Sequence, residues 1–161
     1  MSEDAPNAAI PCTITRLFPM QDGGAVVLHA AEKHFVILVG LNEAQAMYRE
    51  MHACPTERPM THDALMSALE GFEITVHKVV ISALLKGIFC GTVILRQKKE
   101  DGMCQEVRMD ARASDSLVIA LKAKAPIFVA AAVLKEAPDA SDSLREIDSL
   151  PPEAEGEPPA E

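Results

Sequence analysis

The sequence lacks several features that would assign it to a membrane, secreted or metal-scaffold class. No apolar run is long enough to cross a bilayer. Residues 1–9 contain acids and no basic n-region of a secretory signal. The four cysteines are widely spaced and form no CxxC pair, which argues against a zinc ribbon or a disulfide scaffold. These absences predict a cytoplasmic globular protein with reduced thiols and no membrane association.

A basic surplus is also missing, since 24 acids and 15 bases give a net charge of -9. Residues 138–161 hold eight of the acids and one of the bases, so residues 1–137 carry only -2. Neither part has the excess of Lys and Arg with which proteins neutralise phosphates. Nucleic-acid binding is therefore expected to be weak or transient, and the acidic tail is a candidate site for a protein partner.

Composition divides the chain into one domain and two tails. Residues 1–11 are polar with two prolines, and residues 138–161 combine prolines with acids. Neither stretch has enough apolar surface to offset the entropy of ordering it, so we predict both to be disordered. At most, Ser143 to Leu150 would form a transient helical turn. Residues 12–137 have the length of a typical single domain.

Within that domain, hydrophobic periodicity predicts the order βββ-αα-βββ-α-(β)-α. The two groups of strands have hairpin turn signals between them, at Gln21 to Gly24 and at Lys86-Gly87. The segment after Ser114 is apolar on nearly every side, which predicts a buried helix. Ile88 to Gln97 is apolar on both faces, which predicts a central, covered strand. This order indicates an α+β fold, with β-meanders in a mostly antiparallel or mixed sheet and helices packed on it.

The familiar catalytic motifs are absent, including the P-loop, GxGxxG, GxSxG and HExxH. Instead, three predicted helices open with a polar cap followed by an acid. These openings are Asn42-Glu43, Thr61-His62-Asp63 and Ser114-Asp115. Taken singly, each is explained by ordinary capping and by the attraction of acids to the positive end of a helix dipole.

Two details weaken the capping interpretation. His62 gains nothing from a helix N-terminus, because imidazolium is disfavoured there. The run Asp110 to Asp115 packs two acids, Arg112 and a hydroxyl into a strand-to-helix junction. Carboxylates that hold a divalent cation and a base that activates water are what phosphodiester hydrolysis requires. Arg112 is suited to a phosphate contact. Alternatively, it forms an internal ion pair with Asp110 or Asp115.

Four segments then resemble a known family. Arg58 to Leu65 (RPMTHDAL) is similar to the RPxTHDLL signature of the bifunctional nuclease family, and Asp110 to Ser116 (DARASDS) to its DARPSDA signature. Gly40 to Ala46 and Ala125 to Leu134 resemble two further segments, in the family's order and spacing. The resemblance covers Cys12 to Ala137. Ala113 stands where the family has a proline, and Leu41-Asn42 where it usually has a proline and an aromatic residue.

The resemblance implies an α+β domain that forms a homodimer, and plant members of the family degrade both RNA and DNA. We therefore expect a nuclease that uses Mg²⁺ or Mn²⁺. The expected metal ligands are Glu43, Asp110 and Asp115. The expected catalytic residues are His62 as general base, Arg112 as phosphate contact, and Asp63 and Ser114 beside them.

A second hypothesis remains open from the same residues. In it the protein is a non-catalytic, dimeric regulatory or interaction module, and its tail binds a partner. The candidate residues are then helix caps and ion pairs that stabilise the domain. The near-neutral domain and its acidic tail favour this alternative.

Overall fold

The structure is a computed structural model, which describes residues 8–149. It confirms the α+β class, with one seven-stranded mixed sheet and five helices in this part of the chain. The strands are β1 (Ala9–Met20), β2 (Gly23–Ala30), β3 (Lys33–Gly40), β4 (Ile74–Leu85), β5 (Ile88–Lys98), β6 (Cys104–Arg112) and β7 (Ile127–Ala130). The helices are α1 (Leu41–Met51), α2 (Thr61–Gly71), α3 (Ala113–Ala123), α4 (Ala131–Glu136) and α5 (Ser141–Ser149).

The sheet joins two antiparallel meanders through one short strand. The strand order is β3-β2-β1-β7-β4-β5-β6, so each predicted meander forms one half. β7 pairs antiparallel with β1 and parallel with β4, and that parallel pair makes the sheet mixed. The turn at Lys86 and Gly87 has positive φ at both residues (51° and 79°), as a tight two-residue hairpin requires.

α3 packs against the sheet and is the most buried helix. Seven of its eleven residues are buried, among them Leu117, Val118 and Ile119, which confirms the prediction of a buried helix. Gly91 of β5 allows this close packing, because a Cβ there would lie 2.1 Å from the Ser116 Oγ. The position of α3 on the sheet therefore depends on a glycine in the neighbouring strand.

Three details correct the sequence-based prediction. β5 is not central; it lies one strand in from the edge strand β6. The helices begin one or two residues earlier than predicted, with Gly40, Met60 and Arg112 as N-caps in place of Asn42, Thr61 and Ser114. The polar residues that suggested caps lie instead in the first turn of each helix.

Both ends of the described chain extend beyond the predicted domain. β1 begins at Ala9, where it pairs with β7. The helix α5 forms where only a transient turn was predicted, and Arg16 Nη1 lies 2.5 Å from Asp148 Oδ1. The backbone N–H of Ala140 donates to the His34 carbonyl at 2.8 Å. These contacts supply the stabilisation that local composition did not reveal, and the predictions for residues 1–7 and 150–161 lie outside the described residues.

A helix both long and apolar enough to span a membrane is not found between residues 8 and 149.

Candidate functional site

The candidate site lies where the first turns of three helices approach one another. Each helix carries an acid at its third residue: Glu43 in α1, Asp63 in α2 and Asp115 in α3. An acid in the first turn is stabilised by the unpaired backbone N–H groups and the positive end of the helix dipole. The Met60 N–H donates to Asp63 Oδ2 at 2.7 Å in this way. Part of the local role of Asp63 is therefore capping.

Asp115 is also the centre of a polar group that we call the arginine cluster, composed of Glu43, His62, Arg112 and Asp115. Arg112 Nε donates to Asp115 Oδ2 at 2.7 Å, and Arg112 Nη2 donates to Glu43 Oε1 at 2.5 Å. On its other oxygen, Asp115 lies 2.9 Å from His62 Nε2. The structure thus brings together four of the predicted site residues, from α1, α2 and the junction of β6 with α3.

Burial differs sharply within this cluster. The side chains of Glu43 and His62 are 12% and 15% exposed, whereas that of Arg112 is 67% exposed. A Cβ at Gly40 would lie 2.6 Å from the Glu43 Oε2, so a larger residue there would displace the Glu43 carboxylate. The acids and the imidazole are therefore held in place, and the guanidinium faces solvent.

The charge state of Asp115 follows from these contacts. Burial raises the pKa of Asp115, but hydrogen bonds from Arg112 and His62 outweigh it, so the pKa lies below its ordinary value. Asp115 and Glu43 in turn raise the pKa of Arg112. At neutral pH the cluster therefore contains an ionised Asp115 and a charged guanidinium.

The tautomer of a neutral His62 can be assigned from its partner. An ionised carboxylate only accepts hydrogen bonds, so His62 Nε2 must carry the hydrogen that Asp115 receives. In the neutral ring, Nδ1 is then the nitrogen with a free lone pair. The Nδ1 atom makes no hydrogen bond with any described residue. An imidazole oriented by a carboxylate, with its second nitrogen available, is the arrangement of a general base.

A second polar group, which we call the lysine cluster, lies farther along the same helices. Lys122 Nζ donates to Glu50 Oε1 at 2.6 Å and also to Asp63 Oδ1. The Lys122 side chain is only 11% exposed. Burial lowers the pKa of Lys122, but the two carboxylates raise it further than burial lowers it. The hydrogen bond from Lys122 is the main cause of the lowered pKa of Asp63.

Sequence reasoning missed Lys122 and Glu50, although a signal for them existed. Lys122 follows Asp115 by seven residues, and Glu50 follows Glu43 by seven. Two helical turns separate the members of each pair, so each pair lies on one helix face. α1 and α3 lie side by side with their N-termini together. The two clusters therefore lie along the same α1–α3 interface, two helical turns apart. The structure separates His62 and Asp63, which are adjacent in sequence, into different clusters.

Two predicted site residues are not brought to either cluster. In β6, Met109 and Ala111 pack on the side of α3, so Asp110 between them lies on the other face of the sheet and is exposed. Ser114 is buried, and its hydroxyl forms no hydrogen bond with any of residues 8–149. The hydroxyl that supports the junction is Ser116, which donates to the Arg112 carbonyl at 3.0 Å. Sequence analysis did not select Ser116.

The predicted metal ligands therefore do not fit a metal as a set. Asp110 lies on the opposite face of the sheet from Asp115, and the guanidinium of Arg112 occupies the position between Glu43 and Asp115. Within the part of the chain that the structure describes, no three His, Cys, Asp or Glu side chains are grouped closely enough to hold a metal ion. In this arrangement, the positive charge next to both acids comes from Arg112.

His62 also lines a cavity of about 280 Å³ between α1, the loop 52–60 and α2. Arg49, Asp63 and Lys122 line the same cavity. The imidazole is thus one wall of a space that is large enough for a phosphate and its immediate substituents. A molecule bound in this cavity would lie against the side chain of His62.

Comparison with known proteins places the chain in a family. The sequence profile of the bifunctional nuclease domain matches residues 26–141. Two relatives from Mycobacterium tuberculosis are the uncharacterised proteins MT1877 (strain CDC 1551 / Oshkosh) and Rv1829 (strain ATCC 25618 / H37Rv). Each is 31% identical over 115 residues, which cover 69% of this chain and 65% of the relative's length. The chain therefore belongs to the bifunctional nuclease domain family.

Proposed function

We propose that this protein hydrolyses phosphodiester bonds of RNA, DNA or both, with the arginine cluster as its active site. The observation that carries the proposal is the contact chain from Glu43 through Arg112 and Asp115 to His62. Residues separated by as many as 72 positions converge there, and they include the matches to both family signatures. The family provides the reaction class, and the geometry supports roles for individual residues.

In this mechanism His62 is the general base. Its Nδ1 takes a proton from a water molecule, or from the 2′-hydroxyl in RNA, as that oxygen attacks phosphorus. The phosphorus–oxygen bond to the leaving sugar oxygen breaks, that oxygen takes a proton from water, and the His62 imidazolium afterwards returns its proton to solvent. Asp115 holds the ring orientation and stabilises the imidazolium that forms, as carboxylates do beside catalytic histidines.

Arg112 is suited to binding the phosphate. Two of its nitrogens are fixed by Glu43 and Asp115, so the orientation of the guanidinium plane is set before substrate binds. Its exposed edge still presents N–H donors to solvent. A preorganised donor aimed at developing negative charge lowers a barrier without reorganisation at the moment of reaction.

Dependence on Mg²⁺ or Mn²⁺ is a separate part of the proposal, and no step above uses a metal. The predicted ligand set is not assembled, so any metal would have to be held by other groups, including the substrate's own phosphates. Assays in Mg²⁺, Mn²⁺ and EDTA would measure this dependence independently of the test of His62.

The test of the proposal is cleavage of labelled single-stranded RNA and DNA by protein purified from a nuclease-deficient host. His62→Gln keeps hydrogen-bonding capacity but removes the base, and should lower the rate by roughly 100- to 10,000-fold. Asp110→Asn is the matched control, since Asp110 lies on the other face of the sheet. Equal traces of cleavage in wild type and His62→Gln would identify a contaminant and reject the proposal.

One observation favours the non-catalytic alternative. All four charged or titratable groups of the arginine cluster have partners within the protein, as in a network that serves only stability. In that case Asp115→Ala would lower the melting temperature by several degrees while wild type and variant both lack cleavage. The domain would then act through binding, with the acidic tail as its contact with a partner.

A further inference from the structure

An open groove lies on the opposite side of α1 from α3. It has a volume of about 670 Å³ and runs between the end of β1 and α1. Leu41, Gln45, Tyr48 and His52 project into it, at the spacing of one helix face. The volume lies within the range of small-molecule sites, about 300–1,000 Å³. The groove is therefore large enough for a ring system and the groups attached to it.

The groove surface is apolar and aromatic where one would expect a solvated helix face. Met20, Leu41 and Tyr48 are each about half exposed around it. The rings of Tyr48 and His52 are stacked, with centroids 4.1 Å apart and an interplanar angle of 24°. Each ring of such a pair has one face that the other does not cover. A flat aromatic ligand could stack on it.

The charge around the groove is positive in an otherwise acidic chain. Arg16, Arg49 and His52 line it, and no acid among residues 8–149 does, although the chain carries a net charge of -9. Arg16 already contacts Asp148, so the cation that remains for a ligand is Arg49. A groove with this lining is complementary to a ligand that combines an aromatic ring with an anion.

Most arginines of the described chain are paired with acids, and Arg49 and the exposed Arg58 are not. Five arginines there contact a carboxylate: Arg16, Arg96, Arg108, Arg112 and Arg145. Arg49 is half-buried, yet its guanidinium makes no hydrogen bond or ion pair with any of residues 8–149. Its guanidinium N–H donors are therefore available to an anionic ligand.

Arg49 also connects this groove to the candidate site. It lines both the groove and the smaller cavity that contains His62. A chain of alternating bases and phosphates that passes His62 would therefore meet Arg49 next and then the groove. Single-stranded nucleic acid has this alternation, and its bases are free to stack on aromatic side chains.

We propose that the groove binds one nucleotide unit of a single-stranded nucleic acid, with its phosphate on Arg49 and its base stacked on the Tyr48–His52 pair. This inference deepens the proposed function and rests on it, because it makes the groove the substrate's positioning site beside His62. Duplexes bind poorly, since their bases are already stacked and paired. Arg49 and Tyr48 are binding residues and do not take part in the chemical step.

The test is binding of a short fluorescent single-stranded oligonucleotide, measured by anisotropy in EDTA. The full-length His62→Gln protein is used so that hydrolysis does not interfere. Arg49→Gln should weaken binding by about tenfold, as expected for loss of one charge-assisted contact. The slope of log affinity against log salt should become shallower by about 0.7, the contribution of one phosphate contact on a single strand. Arg108→Gln, which removes the same charge from the exposed strand β6, should change neither quantity.

A separate measurement tests the contact between Tyr48 and the nucleobase. Tyr48→Ala should weaken binding of the normal oligonucleotide by about fivefold or more. It should not affect an oligonucleotide that lacks bases but keeps the phosphates. Equal affinities for Arg49→Gln and Arg108→Gln, or equal Tyr48→Ala losses on both oligonucleotides, would overturn the groove site. So would an absence of oligonucleotide binding in a protein that binds apolar peptides instead.

These outcomes are separable from failure of the nuclease proposal. Oligonucleotide binding that depends on Arg49, in a wild-type protein without cleavage, rejects the enzyme and supports the groove. Cleavage that depends on His62 but is unchanged in rate and KM by Arg49→Gln supports the enzyme and rejects the groove.

Discussion

The two polar clusters occupy the same interface of α1 and α3, about two helical turns apart, and have opposite designs. In the lysine cluster, the single cation is almost completely covered and contacts two carboxylates. In the arginine cluster, the cation is largely exposed and one acid is shared with an imidazole. The first arrangement holds its cation between two carboxylates and contains no imidazole. The second leaves free a base nitrogen and an edge of a guanidinium.

This difference teaches that ion pairing alone does not identify a functional site. Both clusters contain acids in a helix first turn and a cation from α3 or its N-cap. Only the arginine cluster contains an imidazole that is oriented by a carboxylate, with its second ring nitrogen unbound among the described residues. We therefore assign the chemistry to the arginine cluster and a stabilising role to the lysine cluster.

The largest expected contrast is between Arg112→Met and Lys122→Met in the cleavage assay. Arg112→Met should lower the rate by roughly 100-fold or more, as loss of a preorganised donor to the transition state does. Lys122→Met should change the rate by less than about threefold, because Lys122 pairs with Glu50 and Asp63 and with no residue of the arginine cluster. Similar losses in both variants would contradict the assignment of different roles to the two clusters.

The next largest expected effect is the loss of protein stability in Gly91→Ala, a change that would displace α3 and therefore both clusters. The added methyl would collide with Ser116 and displace α3, which should cost about 1–3 kcal/mol. For a domain of this size that corresponds to a fall in melting temperature of about 2–4 °C per kcal/mol. Gly71→Ala is the control, since a Cβ at the end of α2 would meet nothing within 4 Å. A melting temperature that is unchanged in Gly91→Ala would show that α3 does not require this close contact.

Lys122→Met should also reveal a pH dependence that belongs to the lysine cluster. The pKa of Asp63 is lowered below its ordinary value of 3.8, so its stabilising contribution is present above that pH and is lost as pH falls. At neutral pH the variant should be less stable by about 1 kcal/mol. Thermal melts should show that the difference in melting temperature between wild type and variant narrows as pH falls below about 4. A gap that widens on acidification would mean that Asp63 does not depend on Lys122.

The smallest expected effect is that of Asp110→Asn. Asp110 is exposed on the far face of the sheet and contacts neither cluster, so cleavage and stability should stay within experimental error of wild type. If its loss abolished cleavage while Lys122→Met did not, Asp110 would take part in catalysis, and the present separation of the two faces would be wrong.

Most of the fold could be predicted from the sequence because local patterns determined it. Alternating apolar residues in the strands and the apolar periodicity of α3 gave the correct element types. The helix N-termini were displaced by one or two residues, since polar residues such as Asn42 and Ser114 are compatible with either a cap or a first turn. The order of strands in the sheet was not predictable in this way, and β5 was therefore placed too centrally.

The site could be predicted only in part. His62, Asp63, Arg112 and Asp115 were selected from motif chemistry, but the contact of His62 with Asp115 joins residues 53 positions apart. The exclusion of Asp110 was available from period-two alternation, since Met109 and Ala111 on either side are apolar. Lys122 was missed, although its spacing of seven residues placed it on the same helix face as Asp115, because its contacts with Asp63 and Glu50 depend on how three helices pack.

The central claim is that His62 and Asp115 act as a catalytic unit, and a double-mutant cycle tests it most directly. Single-turnover cleavage would be measured for wild type, His62→Gln, Asp115→Asn and the double variant, after melts confirm that each is folded. We expect both single variants to lose most of the cleavage rate. The double variant should cleave about as fast as the slower single variant, as for residues that work together. A wild-type rate in His62→Gln, or losses that simply multiply in the double variant, would contradict it.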